Sequence, residues 1–501
     1  MMGAGCSLTG LGLACHALRH FLNREGGGMG GELTRLSATE AVKRLNSGDV
    51  SPLEMVDAAL ARIGEVDGAV NALPTLCPDR ARAHARRIME NGPPEGNGPW
   101  LGGLPIAVKE LVDVAGVRST KASPVYADRV PARSDVVVET LEAHGAIVIA
   151  KANASELGAG AQTFNEVFGK TRNPWNTALS CGGSSGGSAV ALATGEVWLA
   201  TGSDLGGSLR NPASFCSVVG MRPSPGRVAR GPRTHPFGTF SVEGPMARNV
   251  ADLALMFDAQ VGHHPVDPVS MPAPAEPFSA ALEAPVAPKR VAFSRDLGVV
   301  PVAKEVGDIC AGAAKRFEDL GARVEEACPD LHDAVHIFET LRAAQFVTNF
   351  GPLLEKHRAL LKPEVVLTIE QGLELTADEI SRAERARAAL YGRMVAFFED
   401  YDLLLCPAAI VAPFDVETRY VTEVEGHEFE PGHYFRWTAI CYAISPTACP
   451  AISVPCGFTG DQLPVGLQMV GRPRGEAALL AAAHLFEEIV GIADMVPRDP
   501  T

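Results

Sequence analysis

Two apolar runs, "LPIAVKELVDV" from Leu104 and "GAIVIAKAN" from Gly145, enclose the helix-patterned "SDVVVETLEAH", and this order constrains the fold more than any other feature of the chain. Unbroken apolar runs of strand length suit strands covered on both faces, and a helix between two of them is the crossover of a parallel pair. The alternation predicts an α/β core. Further strands are expected at "EVWLATGSD", "RVAFS", "DLLLCPAA", "AISVPCGF" and "VGLQMVG". Helices are expected over "ADLALMFDAQV", "AKEVGDICAGAAKRFEDL", "DEISRAERARAALYGRMVAFFED" and "EAALLAAAHLFEEIV".

Helix starts are marked locally. Ser37 stands three residues before Glu40, the spacing of a capping box, and Ser51 with Pro52 gives a cap followed by a first-turn proline. The segment from His263 to Pro288 is proline-rich and reads as a connection between two halves. Residues 1–34 read as a leader of little order, with Met29 as an equally good start. Residues 35–501 then form one domain, with a motif-bearing core at about 70–260, a more variable stretch at about 261–440 and a closing core segment at about 441–495.

The net charge of −15 disfavours nucleic acid as a partner of the whole surface. No run of about 18 apolar residues suggests a membrane span. Eleven cysteines without CxxC pairs read as reduced, mostly buried thiols, which suits the cytoplasm.

The stretch from Cys181 to Cys216, "CGGSSGGSAVALATGEVWLATGSDLGGSLRNPASFC", holds six serines in two Gly-rich pockets and no histidine. Three readings compete for the first pocket. Gly and Ser can simply build tight turns. A phosphate loop would need GxxxxGK[ST], and no lysine follows before residue 289. Gly183, Ser185 and Gly187 fit GxSxG, yet a nucleophile elbow needs a strand directly before it, and "RNPWNTALSC" is not an apolar run.

Ser208 has the better setting. The strand "EVWLATG" delivers the chain to "SDLGGSLRNP", where Gly206 and Gly207 allow backbone N–H groups to converge on one point, as an oxyanion hole requires. A serine also needs a base. His144 and His235 are the nearest histidines. Lys109 ends the apolar strand "LPIAV", where a lysine either snorkels to water, pairs with Glu110 or Asp113, or is held desolvated for use as a base. At pH 7 only about 1 ordinary lysine in 2,500 is neutral, so a working base there needs its pKa lowered by roughly 2 to 3 units.

Taken together, these residues resemble the amidase signature family. The resemblance runs in order through "LGGLPIAVKELVDVAGV", "GAIVIAKANASELG", "FGKTRNPWN", "CGGSSGGSAVALATGEV", "TGSDLGGSLRNPASFCSVVGMRPSPGRV" and "VEGPMARNVADLAL", then returns at "PAISVPCGF" and "PVGLQMVGRPRGEAALLAAAHLFE". It implies a large twisted mixed β-sheet flanked by helices on both faces. It also implies a Ser-cisSer-Lys triad with Lys109 as base, Ser184 as the bridging serine and Ser208 as the acylated nucleophile. By the same resemblance the backbone of Leu205, Gly206, Gly207 and Ser208 forms the oxyanion hole, Ser203 and Asp204 support the turn, and Arg210 holds the loop beyond it. Neither metal nor cofactor is implied.

The implied activity is hydrolysis of small linear amides, with esters or carbamates open to the same acyl transfer, by a monomer or homodimer. The alternative is a glutaminase-type A subunit of a tRNA-dependent amidotransferase. Such subunits carry a "YMADIFT"-like stretch where this chain reads "HYFRWTAICYAISPTACPAISVP", which favours a stand-alone hydrolase. His433, Tyr434, Phe435, Arg436 and Trp437 are candidates to line the acyl pocket. Glu110 replaces the aspartate common after the lysine.

Overall fold

Ser51 and Glu54 form the reciprocal capping box at the start of helix α2 (Pro52–Val70), with Pro52 in its first turn. At Ser37 only half of the expected box forms. Ser37 Oγ caps Glu40 N–H at the start of helix α1 (Ala38–Ser47), while the Glu40 carboxylate turns to Arg44. The Ala38 and Thr39 N–H groups are taken by Asp252, 2.8 Å from each, so a distant carboxylate completes the cap.

The computed structural model describes residues 29–94, 98–491 and 497–501. The expected leader lies outside the described residues as far as residue 28, and Met29–Leu33 opens them as a short helix. Among the described residues no helix is long and apolar enough to cross a membrane. Nine described cysteines are free thiols, and six of them are buried.

Eleven strands build one mixed sheet. In chain order they are β1 (Thr75–Leu76), β2 (Pro105–Lys109), β3 (Ile147–Ala152), β4 (Leu199–Asp204), β5 (Val219–Arg222) and β6 (Val242–Ala247). The second half supplies β7 (Arg290–Phe293), β8 (Arg323–Glu326), β9 (Leu403–Pro407), β10 (Ala451–Phe458) and β11 (Pro464–Val470). The order across the sheet is β1-β3-β2-β4-β6-β5-β10-β11-β9-β7-β8. The predicted pair β2 and β3 is parallel, joined by helix α3 (Val136–Ala143), and β2 is also parallel to β4. Antiparallel pairs carry the sheet from β4 through β6, β5, β10 and β11 to β9.

Every residue of β2, β3, β4, β6 and β11 is buried. Neighbouring strand residues point to opposite faces, so the central sheet is covered on both sides. One hydrophobic cluster extends from Ala38 to Phe486 across both halves. A smaller one, built on Leu157, Phe346, Leu361, Val365 and Ile369, sits outside it.

The elements read from sequence appear at Lys304–Lys315, Ala377–Asp400 and Glu476–Val490 among the helices, and at β7, β9, β10 and β11 among the strands. Helix α4 (Gly186–Ala193) and helix α5 (Arg210–Cys216) follow the two Gly-rich pockets. Two helices of the variable stretch were not read from sequence, α6 (Ala334–His357) and α7 (Pro363–Glu374).

Candidate active site

Strands β2 and β4 lie side by side and parallel, so Lys109 and Asp204, their last residues, emerge at the same edge of the sheet. Crevices beyond the carboxyl ends of parallel strands are where open α/β sheets bind ligands. Lys109 is fully buried, and its backbone N–H donates to Thr201 Oγ1 of the neighbouring strand at 2.9 Å. It neither reaches water nor pairs with Glu110. Its Nζ lies 2.7 Å from Ser185 Oγ, 2.8 Å from Ser184 Oγ and 2.9 Å from Ser203 Oγ, and 3.3 Å from the Ser203 carbonyl.

Burial lowers the Lys109 pKa from 10.5 to about 7, against a smaller upward pull from Glu243 and Asp204. At pH 7 about half of such lysines are neutral, compared with about 1 in 2,500 for an ordinary one. The adjacent Glu110 faces elsewhere: its carboxylate accepts from Thr120 Oγ1 at 2.8 Å and pairs with the buried Lys151 at 3.5 Å.

Ser184 and Ser208 come from the two Gly-rich pockets and both line the same cavity. The Gly183–Ser184 peptide is cis. Asn211 Oδ1 accepts from Gly183 N–H at 3.2 Å, and Ser185 N–H donates to the Ser208 carbonyl at 3.3 Å, so one side-chain and one backbone acceptor tie the pockets to each other. Glycine is required in the first pocket by packing: a Cβ on Gly187 would lie 2.3 Å from Asn153 N. Ser185, set aside in the sequence, belongs to the lysine's immediate surroundings. The signal for it was only its place beside Ser184.

Asp204 anchors the second pocket. Its carboxylate accepts from Gly207 N–H at 2.9 Å and Leu209 N–H at 3.2 Å, and from Arg210 at 3.0 and 2.9 Å and Arg222 at 3.2 Å. Burial alone would raise this carboxyl, but Arg210 and Arg222 outweigh it and hold it well below the usual carboxylate range. Arg210 also donates to the Cys441 carbonyl at 2.8 Å and to Gln468 Oε1 at 2.5 Å, fastening the loop to the C-terminal half of the sheet.

One expected donor is corrected by this geometry. The Gly207 N–H is committed to Asp204, because the buried carboxylate needs it, so Gly207 does not present that group to a ligand. Among the described residues the N–H groups of Leu205, Gly206 and Ser208 have no protein acceptor, and all three residues line the cavity.

The cavity measures about 270 Å³. One side of it is ionic, with Arg230, Arg233, Glu243 and Asp135, and Arg233 pairs with Glu243. The opposite wall comes from α6, through Arg342, Gln345, Phe346, Asn349 and Phe350, and is completed by Phe435. His235 lines the cavity, whereas His144 caps α3 and its Nδ1 faces the Ala259 carbonyl at 2.8 Å. Of the five residues from His433 to Trp437, Phe435 reaches the cavity. Arg436 pairs with Glu339 at 2.8 Å, and Trp437 packs edge-on against Phe414 in the core. Among the described residues no cluster of three His, Cys, Asp or Glu is placed to hold a metal.

The family model described as Amidase matches residues 54–480. An acylamidase from Rhodococcus erythropolis is 33% identical over 469 residues, spanning 93% of this chain and 97% of that protein. The A subunit of the glutamyl-tRNA(Gln) amidotransferase from Moorella thermoacetica is 34% identical over 482 residues, spanning 91% and 97%. Among solved structures, a bacterial aryl acylamidase of the amidase signature enzymes superposes with a TM-score of 0.83 at 28% identity, covering 92% of this chain and 98% of that one.

Proposed function

The chain belongs to the amidase family, and from that premise we propose that it hydrolyses small linear amides through an acyl-enzyme on Ser208. The observation that carries the reading is Lys109 Nζ, desolvated and 2.8 Å from the Oγ of Ser184, which lines the same cavity as Ser208. Neutral Lys109 takes the Ser184 proton while Ser184 takes that of Ser208, and Ser208 Oγ adds to the amide carbonyl carbon. The N–H groups of Leu205, Gly206 and Ser208 face the developing oxyanion, each donor being worth about 3 to 4 kcal/mol. On collapse the C–N bond breaks, and the lysine ammonium returns the proton through Ser184 to the departing amine. Water then enters by the same relay and releases the acid.

The acylamidase relative supports the amide class, and esters and carbamates are open to the same acyl transfer. A fluorophosphonate should label Ser208, read by peptide mass spectrometry, and Ser208→Ala should lose the label. Label retained in that variant overturns the assignment.

A second reading has its own support, because the A subunits of amidotransferases match along nearly the whole chain. On that reading the same acyl transfer releases ammonia from glutamine for a partner protein. Glutamine-dependent transamidation with co-purifying partners would establish it, and hydrolysis of aryl amides by the isolated chain without either would exclude it.

A further inference from the structure

Arg342 is 7% exposed, lines the cavity, and is held by neutral partners alone. Its Nη2 donates to Tyr434 OH at 2.6 Å and its Nη1 to Thr368 Oγ1 at 3.3 Å. The guanidinium carbon lies 4.5 Å from the Phe346 ring centroid and 5.0 Å from that of Phe435. Among the described residues no carboxylate pairs with it. Glu339, one turn earlier on α6, is occupied by Arg436 and Tyr442. A buried cation without an anion is costly, and arginine's planar fork suits a carboxylate in particular. The Phe435 ring that supports Arg342 also lies against the candidate donor loop, since a Cβ on Gly206 would meet its Cε1 at 2.8 Å. The cation thus stands about one ring away from the point where the scissile carbonyl would bind. Arg233, by contrast, already has Glu243.

We propose that Arg342 is a specificity-determining residue that pairs with an anionic group, a carboxylate, on the short acyl chain of the substrate, so that the preferred substrates are monoamides of small diacids. This rests on the proposed amide hydrolysis for the meaning of the acyl chain. Binding of the carboxylate itself does not depend on the chemistry. The test is calorimetric titration of Ser208→Ala with a diacid monoamide and with its methyl ester, alone and combined with Arg342→Met or Arg342→Lys. A charge-assisted pair of this kind is worth about 10-fold to 100-fold in affinity. The monoamide should bind that much more tightly than the ester in Ser208→Ala, Arg342→Met should remove the difference, and Arg342→Lys should keep part of it. Equal affinities for the two ligands overturn the proposal. So does a preference that survives Arg342→Met, which would place the anion on the Arg230 side of the cavity. Turnover of the monoamide by Ser208→Ala during the titration would instead defeat the assignment of Ser208, and the affinity ratio would still decide the role of Arg342.

Discussion

Lys109 Nζ lies 2.7 Å from Ser185 Oγ, as close as it lies to the bridging candidate Ser184. Ser185 also contacts the backbone of Ser203 at 3.4 Å on both its N–H and carbonyl sides, so it pins the lysine's surroundings to β4. Ser185→Ala should lower kcat by about 10-fold to 100-fold, the scale of one hydrogen bond to a charged group. Lys109→Ala should cost more, about 100-fold to 10,000-fold. Loss of the hydroxyl removes an acceptor that favours the ammonium, so the acid limb of the pH profile should move to lower pH in Ser185→Ala. A fall in kcat with an unmoved limb would limit Ser185 to packing.

With Lys109 as the proposed base, its lowered pKa should set the pH dependence. The base must be neutral to accept a proton, so kcat/KM should rise about tenfold per pH unit below about 7 and level off above it. A profile flat from pH 5 to 9 would exclude Lys109 as the base. The same group affects stability with a definite sign. In the unfolded chain the lysine regains its ordinary value of 10.5, so between about 7 and 10.5 the unfolded state binds more protons. This group therefore makes folding more favourable as pH rises through that window, while below it the cost of burying the ammonium is present in full and no longer changes with pH. Urea unfolding of wild type and Lys109→Met across the window isolates that contribution.

Asp204 should be a structural requirement of the donor loop. Asp204→Asn keeps the shape of the side chain but leaves Arg210 and Arg222 facing each other, buried and without their counter-charge. Breaking one partner of such a set costs about 3 to 5 kcal/mol. A urea midpoint within error of wild type would show that the two guanidinium groups find other acceptors.

What the sequence allowed to be read follows from how local each signal is. Strands β2 and β3 were legible because unbroken apolar runs such as residues 105–108 and 147–150 have one good solution, burial between two layers. Strand β6 was not, because Gly244 and Pro245 break the run, and Gly244 is there for the close approach of the Met221 carbonyl, 2.3 Å from where its Cβ would be. Helix α6 was hidden by Pro352 and by a polar face that points into the cavity rather than to solvent. Lys109 stood out because a charge at the end of an apolar strand is a local anomaly. Arg342 gave no such signal. Its environment is assembled from Thr368, Tyr434 and Phe435, which only the fold brings together. The Gly207 donor was misread for a related reason: the sequence places an N–H in the turn, and only the position of the Asp204 carboxylate shows where it points.

The two glycines of the donor loop should fail differently when given a side chain. Gly207 has φ 110°, a region that L residues rarely adopt, and its Cβ would lie 2.5 Å from Cys441 Cβ. Gly207→Ala therefore carries backbone strain of about 1 to 3 kcal/mol that no neighbouring substitution relieves. At Gly206 the obstacle is the edges of two rings, Phe435 at 2.8 Å and Phe338 at 2.9 Å, and no positive φ is involved. Phe435→Leu should accordingly restore part of the fluorophosphonate labelling rate lost in Gly206→Ala, while Cys441→Gly should restore none of that lost in Gly207→Ala. If Cys441→Gly rescues Gly207→Ala as well, contact rather than the backbone conformation limits the loop at both positions.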